Sequence, residues 1–237
     1  MNHNHPNIAM LKQVATGLGS LVDDVVFLGG CTTGLLITDP ASPTIRETDD
    51  VDMIVEISTH HAYHDFTKQL KTKGFKEDTS EHAPICRLLY GLLKIDVMPT
   101  HEDILGFTNL WYAEAMTHAA KIQLSNQLHI QMVTAPYFLA TKLEAFYNRG
   151  QHDYIASHDL EDLVAVIDGR ASIIEDIQGS SKSLQDYLAH EFNNLIHVDD
   201  FQDALSGHLP PDAASQARLP LLQERLKQIS QLNSSSC

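Results

Sequence analysis

Arg46-Glu47-Thr48-Asp49-Asp50-Val51-Asp52-Met53-Ile54-Val55-Glu56 is the stretch on which the fold turns. Asp50 and Asp52 stand directly before an apolar run, so they sit at the entrance of a strand over residues 51–57 rather than in its turn. Carboxylates two residues apart in a strand share a face. Upstream, Val25–Leu28 reads as a short buried strand ended by Gly29-Gly30, and residues 31–37 read as a helix. Downstream, Asp96 lies inside Leu92–Met98, an apolar strand in which an unpaired carboxylate would be costly. Three converging carboxylates repel unless a cation joins them. A hard ion, Mg²⁺ or Mn²⁺, suits an all-oxygen donor set. Asp-x-Asp also serves in turns and helix caps, and Gly-Gly is common, so the third acid carries the metal reading. Those carboxylates lying far apart, or tied into ordinary ion pairs with arginine or lysine, would end the case for catalysis.

Outward from this stretch, the chain reads as alternating elements and then as helices. An amphipathic helix covers 7–19, with Ile8, Leu11, Val14 and Leu18 on one face. Residues 38–43 form a loop with two prolines, and 61–73 form a helix stopped by Gly74. Ile85–Leu89 and Leu92–Met98 pair as a hairpin near Tyr90-Gly91. Residues 104–118 contain a helix carrying Trp111, and strands follow at 121–124 and 128–133. After Pro136 helices are expected at 137–148, 158–167, 183–196 and 213–232, with a frayed tail at 234–236. The fold class is therefore α/β (α+β), a mixed sheet flanked by helices with a C-terminal helical lobe. The expected domains are 1–134 and 135–237.

The 237 residues carry 16 Lys and Arg against 31 Asp and Glu, a formal charge of −15. Such a chain offers no broad attraction to nucleic acid, and its lysine cluster Lys68, Lys71, Lys73 and Lys76 reads as a solvated helix face. Cys31, Cys86 and Cys237 are odd in number and lack metal-ligand spacing, which argues against a disulfide framework and a structural zinc site and fits a reducing cytoplasm. Neither a signal peptide nor a membrane span is legible. Fourteen histidines include His3/His5 and His60/His61/His64, but without the spacing of a paired-histidine metal site, so a histidine-dependent hydrolase is disfavoured.

Two divalent ions, both held by Asp50 and Asp52 and the nucleophile-side one also by Asp96, fit in-line displacement at phosphorus, where catalysis is mostly positioning and charge neutralisation. Gly29 and Gly30 let backbone approach a phosphate without a Cβ in the way, and Thr32 and Thr33 follow at a helix start. Cys31 reads as a small buried filler.

The order Leu28-Gly29-Gly30, Asp50-Val51-Asp52, then Asp96 resembles the DNA polymerase β-type nucleotidyltransferases. Arg46-Glu47-Thr48-Asp49-Asp50-Val51-Asp52, the helix Lys142–Arg149 and the segment His158-Asp159-Leu160-Glu161-Asp162-Leu163 are similar to motifs of the AbiEii/AbiGii-type toxin family. The likeness covers roughly residues 25–168. It implies a two-lobed enzyme that uses Mg²⁺ and a nucleoside triphosphate. It also implies that Arg46 and Lys142 contact the nucleotide, with Asp159 supporting the site, and it brings with it a toxin role, an antitoxin protein as partner and tRNA or another RNA as one acceptor. The chain departs from the family in the nineteen residues between Gly30 and Asp50, whose excess in Thr38–Thr44 is a substrate lid or a passive insertion. The competing reading is a non-catalytic nucleotide-binding or partner-binding module on the same fold.

Overall fold

The computed structural model describes residues 5–150 and 153–232; His3, the tail at 234–236 and Cys237 lie outside the described residues. Two compact units emerge, one drawn from Asn2–Gly34 with Glu47–Thr134 and the other from Leu35–Arg46 with Ala135–Cys237. No helix among the described residues is long and apolar enough to cross a membrane.

The first unit is built on a seven-stranded mixed sheet. Its strands are β1 (Val25–Leu28), β2 (Asp50–Val55), β3 (Lys76–Glu77), β4 (Arg87–Tyr90), β5 (Leu93–Pro99), β6 (Ala120–Ser125) and β7 (Leu128–Met132). They lie in the order β3-β4-β5-β2-β1-β7-β6. β1 is buried at every position because it is central, flanked by antiparallel β2 and parallel β7. A strand covered on both faces reads as a continuous apolar run, which Val25–Leu28 is. β4 and β5 form the expected hairpin, closing at Tyr90↔Leu93.

Helix α1 (Pro6–Leu18) buries the predicted stripe Ile8, Leu11, Val14 and Leu18. Pro6 sits in its first turn, where a missing N–H costs nothing, and the His5 ring accepts from the Asn7 N–H. After the short α2 (Thr33–Leu36), α3 (His60–Thr72) starts on a Thr59 cap and buries Phe66 and Leu70. The helix expected within 104–118 is α5 (Tyr112–Thr117), with Trp111 at its N-cap position rather than within it, and a short α4 (Glu102–Leu105) precedes it. Gly106, at φ 79°, ends α4, and the Asn109 side chain accepts from the Trp111 N–H just before α5.

The second unit contains α6 (Ala135–Arg149), α7 (His158–Gly169), α8 (Ile173–Gln178), α9 (Lys182–Leu195), α10 (Asp199–Ala204), α11 (Ala213–Gln216) and α12 (Leu219–Ser230). Ser157 caps α7 and Ser181 caps α9 through side-chain oxygens. α6 is buried along nearly its whole first three turns and serves as a core helix. The single helix expected over 213–232 is split: the ring of Pro220 would meet the carbonyl of residue 216 in a continuous helix.

The Leu35–Arg46 segment packs with these helices. Thr38 and Asp39 both donate backbone N–H groups to the Gly169 carbonyl, at 3.0 and 2.9 Å. A Cβ on Gly169 would stand 2.6 Å from Ser42 Oγ and 2.9 Å from Ile37 Cγ2, so those side chains would have to shift to admit it. Arg218 then bridges Asp39 and the buried Asp168, each at 2.7 Å.

Candidate metal centre

β2 and β5 run parallel with Asp52 directly beside Asp96, and Asp50 lies two residues along on the same face as Asp52. Neighbouring strands are separated by about 4.8 Å, close enough for side chains in register to share a site. One carboxylate oxygen from each of Asp50, Asp52 and Asp96 lies within 4.8 Å of the others. It is the one grouping of three His, Cys, Asp or Glu ligand atoms this close among the described residues, so the histidine-rich segments form none.

The glycine turn is built against the same acid. β1 pairs Leu28 with Asp52, which brings Gly29 alongside that carboxylate. A Cβ on Gly29 would fall 1.9 Å from Asp52 Oδ2. With φ 75° and ψ −171°, Gly29 also occupies a backbone region that is essentially glycine's own. The following residues form a 3₁₀ turn, Gly30–Thr32, and then the single turn α2, shorter than the helix expected over 31–37. Thr32 donates its hydroxyl to the Gly29 carbonyl at 2.8 Å. Cys31 is fully buried and donates to the Leu28 carbonyl. Thr33 Oγ1 is buried with no hydrogen-bond partner.

Arg87, a residue sequence reading missed, completes the cluster. It stands on β4 directly opposite Asp96. Its Nε and Nη2 donate to the two Asp96 oxygens at 2.8 and 2.7 Å, and Nη2 lies 3.7 Å from Asp50 Oδ2. The bidentate bonds to Asp96 raise the guanidinium's affinity for its proton, so it stays charged. Asp50 Oδ1 also accepts from Thr48 Oγ1 at 2.7 Å. The three acids converge, and at Asp96, one of the three, the arginine pairing set as ending the case for catalysis is also present. The observed hairpin closes at Tyr90↔Leu93, so paired numbers sum to 183 and 87 faces 96; the turn lies one residue later than Tyr90-Gly91, which would set 87 against 94.

Cys86, next to Arg87, is buried and its thiol is pushed up to about 12, first by burial and then by the Asp96 charge. It is no nucleophile at neutral pH. Tyr63 donates to the Val97 carbonyl at 2.9 Å, and burial raises its phenol pKa.

The helical-unit residues expected at the nucleotide form a network of their own. Lys142 Nζ donates to Asp159 Oδ1 at 3.0 Å and to Asp162 Oδ2 at 2.7 Å. Arg46 grips Asp162 with Nε and Nη2, at 2.9 and 2.7 Å, and Arg149 grips Asp159 at 3.1 and 3.0 Å. Burial opposes charge on Asp159, but the Lys142 charge and the Arg149 bonds outweigh it and hold its pKa below the usual value. Burial likewise pulls Lys142 down, and Asp162 and Asp159 more than restore it.

Solved structures share this architecture. An antigenic nucleotidyltransferase-like protein from Paracoccidioides brasiliensis superposes with a TM-score of 0.52 at 21% identity, over 85% of this chain and 92% of that one. The fold is nucleotidyltransferase-like. A candidate nucleotidyltransferase from H. pylori gives 0.50 at 11% identity, over 98% of this chain and 96% of that one. No protein-family model matches the chain, and no curated protein does. The likeness is thus one of fold, and the chemistry must be argued from the site.

The donor set fits a divalent cation. All three candidate ligands are carboxylates, the hard oxygen donors that Mg²⁺ and Mn²⁺ select. A side chain at residue 29 would fill the space that Asp52 uses.

Proposed function

We propose that the chain is a divalent-metal-dependent nucleotidyltransferase that moves a nucleoside monophosphate from a nucleoside triphosphate to an acceptor hydroxyl. The observation that carries the reading is the convergence of Asp50, Asp52 and Asp96 beside the Gly29 turn, on a sheet of nucleotidyltransferase-like topology. Asp50 and Asp52 would hold the metal, with Asp96 adjacent. Bound there, a divalent ion supplies charge neutralisation of the phosphates and acidifies a coordinated hydroxyl. The chain's own part is to fix the carboxylates by strand register and keep the glycine turn clear of side chains. Gly29, Gly30, Thr32 and Thr33 are assigned to the phosphate side. Arg46, Lys142 and Asp159 belong to this reading through motif resemblance, and their mutual pairing supports a scaffold role for Lys142 and Asp159.

The formal charge of −15 favours a protein or small-molecule acceptor over RNA. A toxin role with an antitoxin partner rests on the motif resemblance. Incubation with Mg²⁺ and labelled triphosphates tests the proposal, with Asp50→Asn/Asp52→Asn as control. Pyrophosphate release abolished in the control is the expected result, and no release with any triphosphate, RNA or lysate refutes it.

The Arg87–Asp96 pair specifically favours a second reading, a nucleotide-binding module without turnover. Tight triphosphate binding that Asp96→Ala leaves unchanged, with no pyrophosphate formed, would establish it.

A further inference from the structure

Charge in the acid nest is distributed unevenly. Asp96 is committed at both oxygens to the Arg87 fork, whereas Asp50 feels that guanidinium only from 3.7 Å and receives one hydroxyl bond from Thr48. We propose that Arg87 is a positioning residue that takes the place of a second cation, so that the nest receives one divalent ion, at Asp50 and Asp52, while Asp96 stays on the guanidinium. This rests on the metal-dependent reading above.

Charge counting supports a single ion. Three carboxylates and one guanidinium sum to −3 + 1 = −2, which one divalent ion cancels. A second ion would leave the cluster at +2 in a partly buried place, where excess charge of either sign is expensive. Geometry points the same way. The planar fork matches a carboxylate edge, and a bidentate pair of this kind is roughly twice as strong as neutral hydrogen bonds. Arg87 is also pre-ordered. It faces Asp96 across an antiparallel hairpin pair, and the two side chains are only 18% and 12% exposed. A second ion must therefore displace a guanidinium already held by strand register, whereas an ion at Asp50 and Asp52 leaves that pair intact. The guanidinium, held in position by that pair, would orient whatever anionic group reaches the Asp96 side of the nest, without offering it a coordination site.

Counting Mn²⁺ per chain by equilibrium dialysis, with electron paramagnetic resonance of the free ion and without nucleotide, tests this. The expected counts are one for the wild type, one for Arg87→Lys and two for Arg87→Gln, with circular dichroism verifying each fold. Asp96→Asn should keep its one ion, because Asp96 is not needed to hold it. This variant decides the matter if Arg87→Gln does not fold. Two ions on the wild type, an unchanged single ion in folded Arg87→Gln, or loss of the ion in Asp96→Asn overturns the role of Arg87 while leaving a metal site standing. No ion on either wild type or Arg87→Gln overturns this inference and the metal-dependent reading together.

Discussion

Replacing Gly29 with alanine should damage the candidate metal centre through one atom. The added Cβ would lie 1.9 Å from Asp52 Oδ2, inside the 3.0 Å that Cβ atoms respect. The carboxylate must then retreat by about 1.1 Å, the difference of those two distances, or the turn must open. The backbone contributes separately. At φ 75° and ψ −171°, residue 29 sits where a side chain costs about 1–3 kcal/mol. For a chain of this size that corresponds to a fall in Tm of about 2–12 °C. Moving one ligand off its position should also weaken Mn²⁺ binding by about 10–100-fold, the range seen when a ligand's support is lost. Gly106→Ala is the control: φ is 79° there too, but no atom lies within 4 Å of the added Cβ. It should lower Tm without changing Mn²⁺ affinity. Calorimetry and Mn²⁺ titration on both variants separate strain from collision. Wild-type Mn²⁺ affinity in Gly29→Ala would mean that the turn yields and the Asp52 carboxylate does not move, or that Asp52 takes no part in an ion site, and the reasoning would be wrong.

Lys142→Met keeps the volume but leaves Asp159 and Asp162 short of a buried partner, so stability should fall by about 3–5 kcal/mol in urea unfolding. Unchanged stability with lost triphosphate affinity would assign Lys142 to the nucleotide instead. Asp159 has a folded pKa below its ordinary 3.8, so the unfolded chain takes up the proton first; its contribution is whole above 3.8 and is lost as pH falls through the folded value. Asp159→Asn should therefore flatten the fall in stability below that pH, as read by acid titration of the circular dichroism signal. Thr33→Val should leave Tm unchanged or slightly raised, because the hydroxyl is buried without a partner. A loss of more than about 1 kcal/mol would reveal a hidden acceptor.

Much of the site was legible in the chain because it depends on local periods. The two-residue repeat puts Asp50 and Asp52 on one face, and an acid inside an apolar strand forces Asp96 to have a cationic partner. Arg87 was not legible, because the turn read at Tyr90-Gly91 sets it against residue 94, and only the observed closure at Tyr90↔Leu93 brings it to Asp96. The helix break before Pro220 was misread because apolar spacing runs through it, although proline carries its own stop signal. Lys142 read as a triphosphate contact through resemblance. Only the fold shows it enclosed by two aspartates from α7, one of them also gripped by Arg46.

By itself the sequence determined the elements: a buried central strand ended by glycines, two aspartates at the mouth of the next, a third inside a later hairpin, then a run of helices. Each follows from propensities and periods that act over a few residues. Tertiary structure decided which strands became neighbours. It set β2 parallel to β5 with Asp52 beside Asp96, placed β7 along β1, and drew Leu35–Arg46 away to the helices. Those choices depend on surfaces brought together from distant parts of the chain, and on charges such as the Arg218–Asp39 pair that acquire partners only when those parts meet.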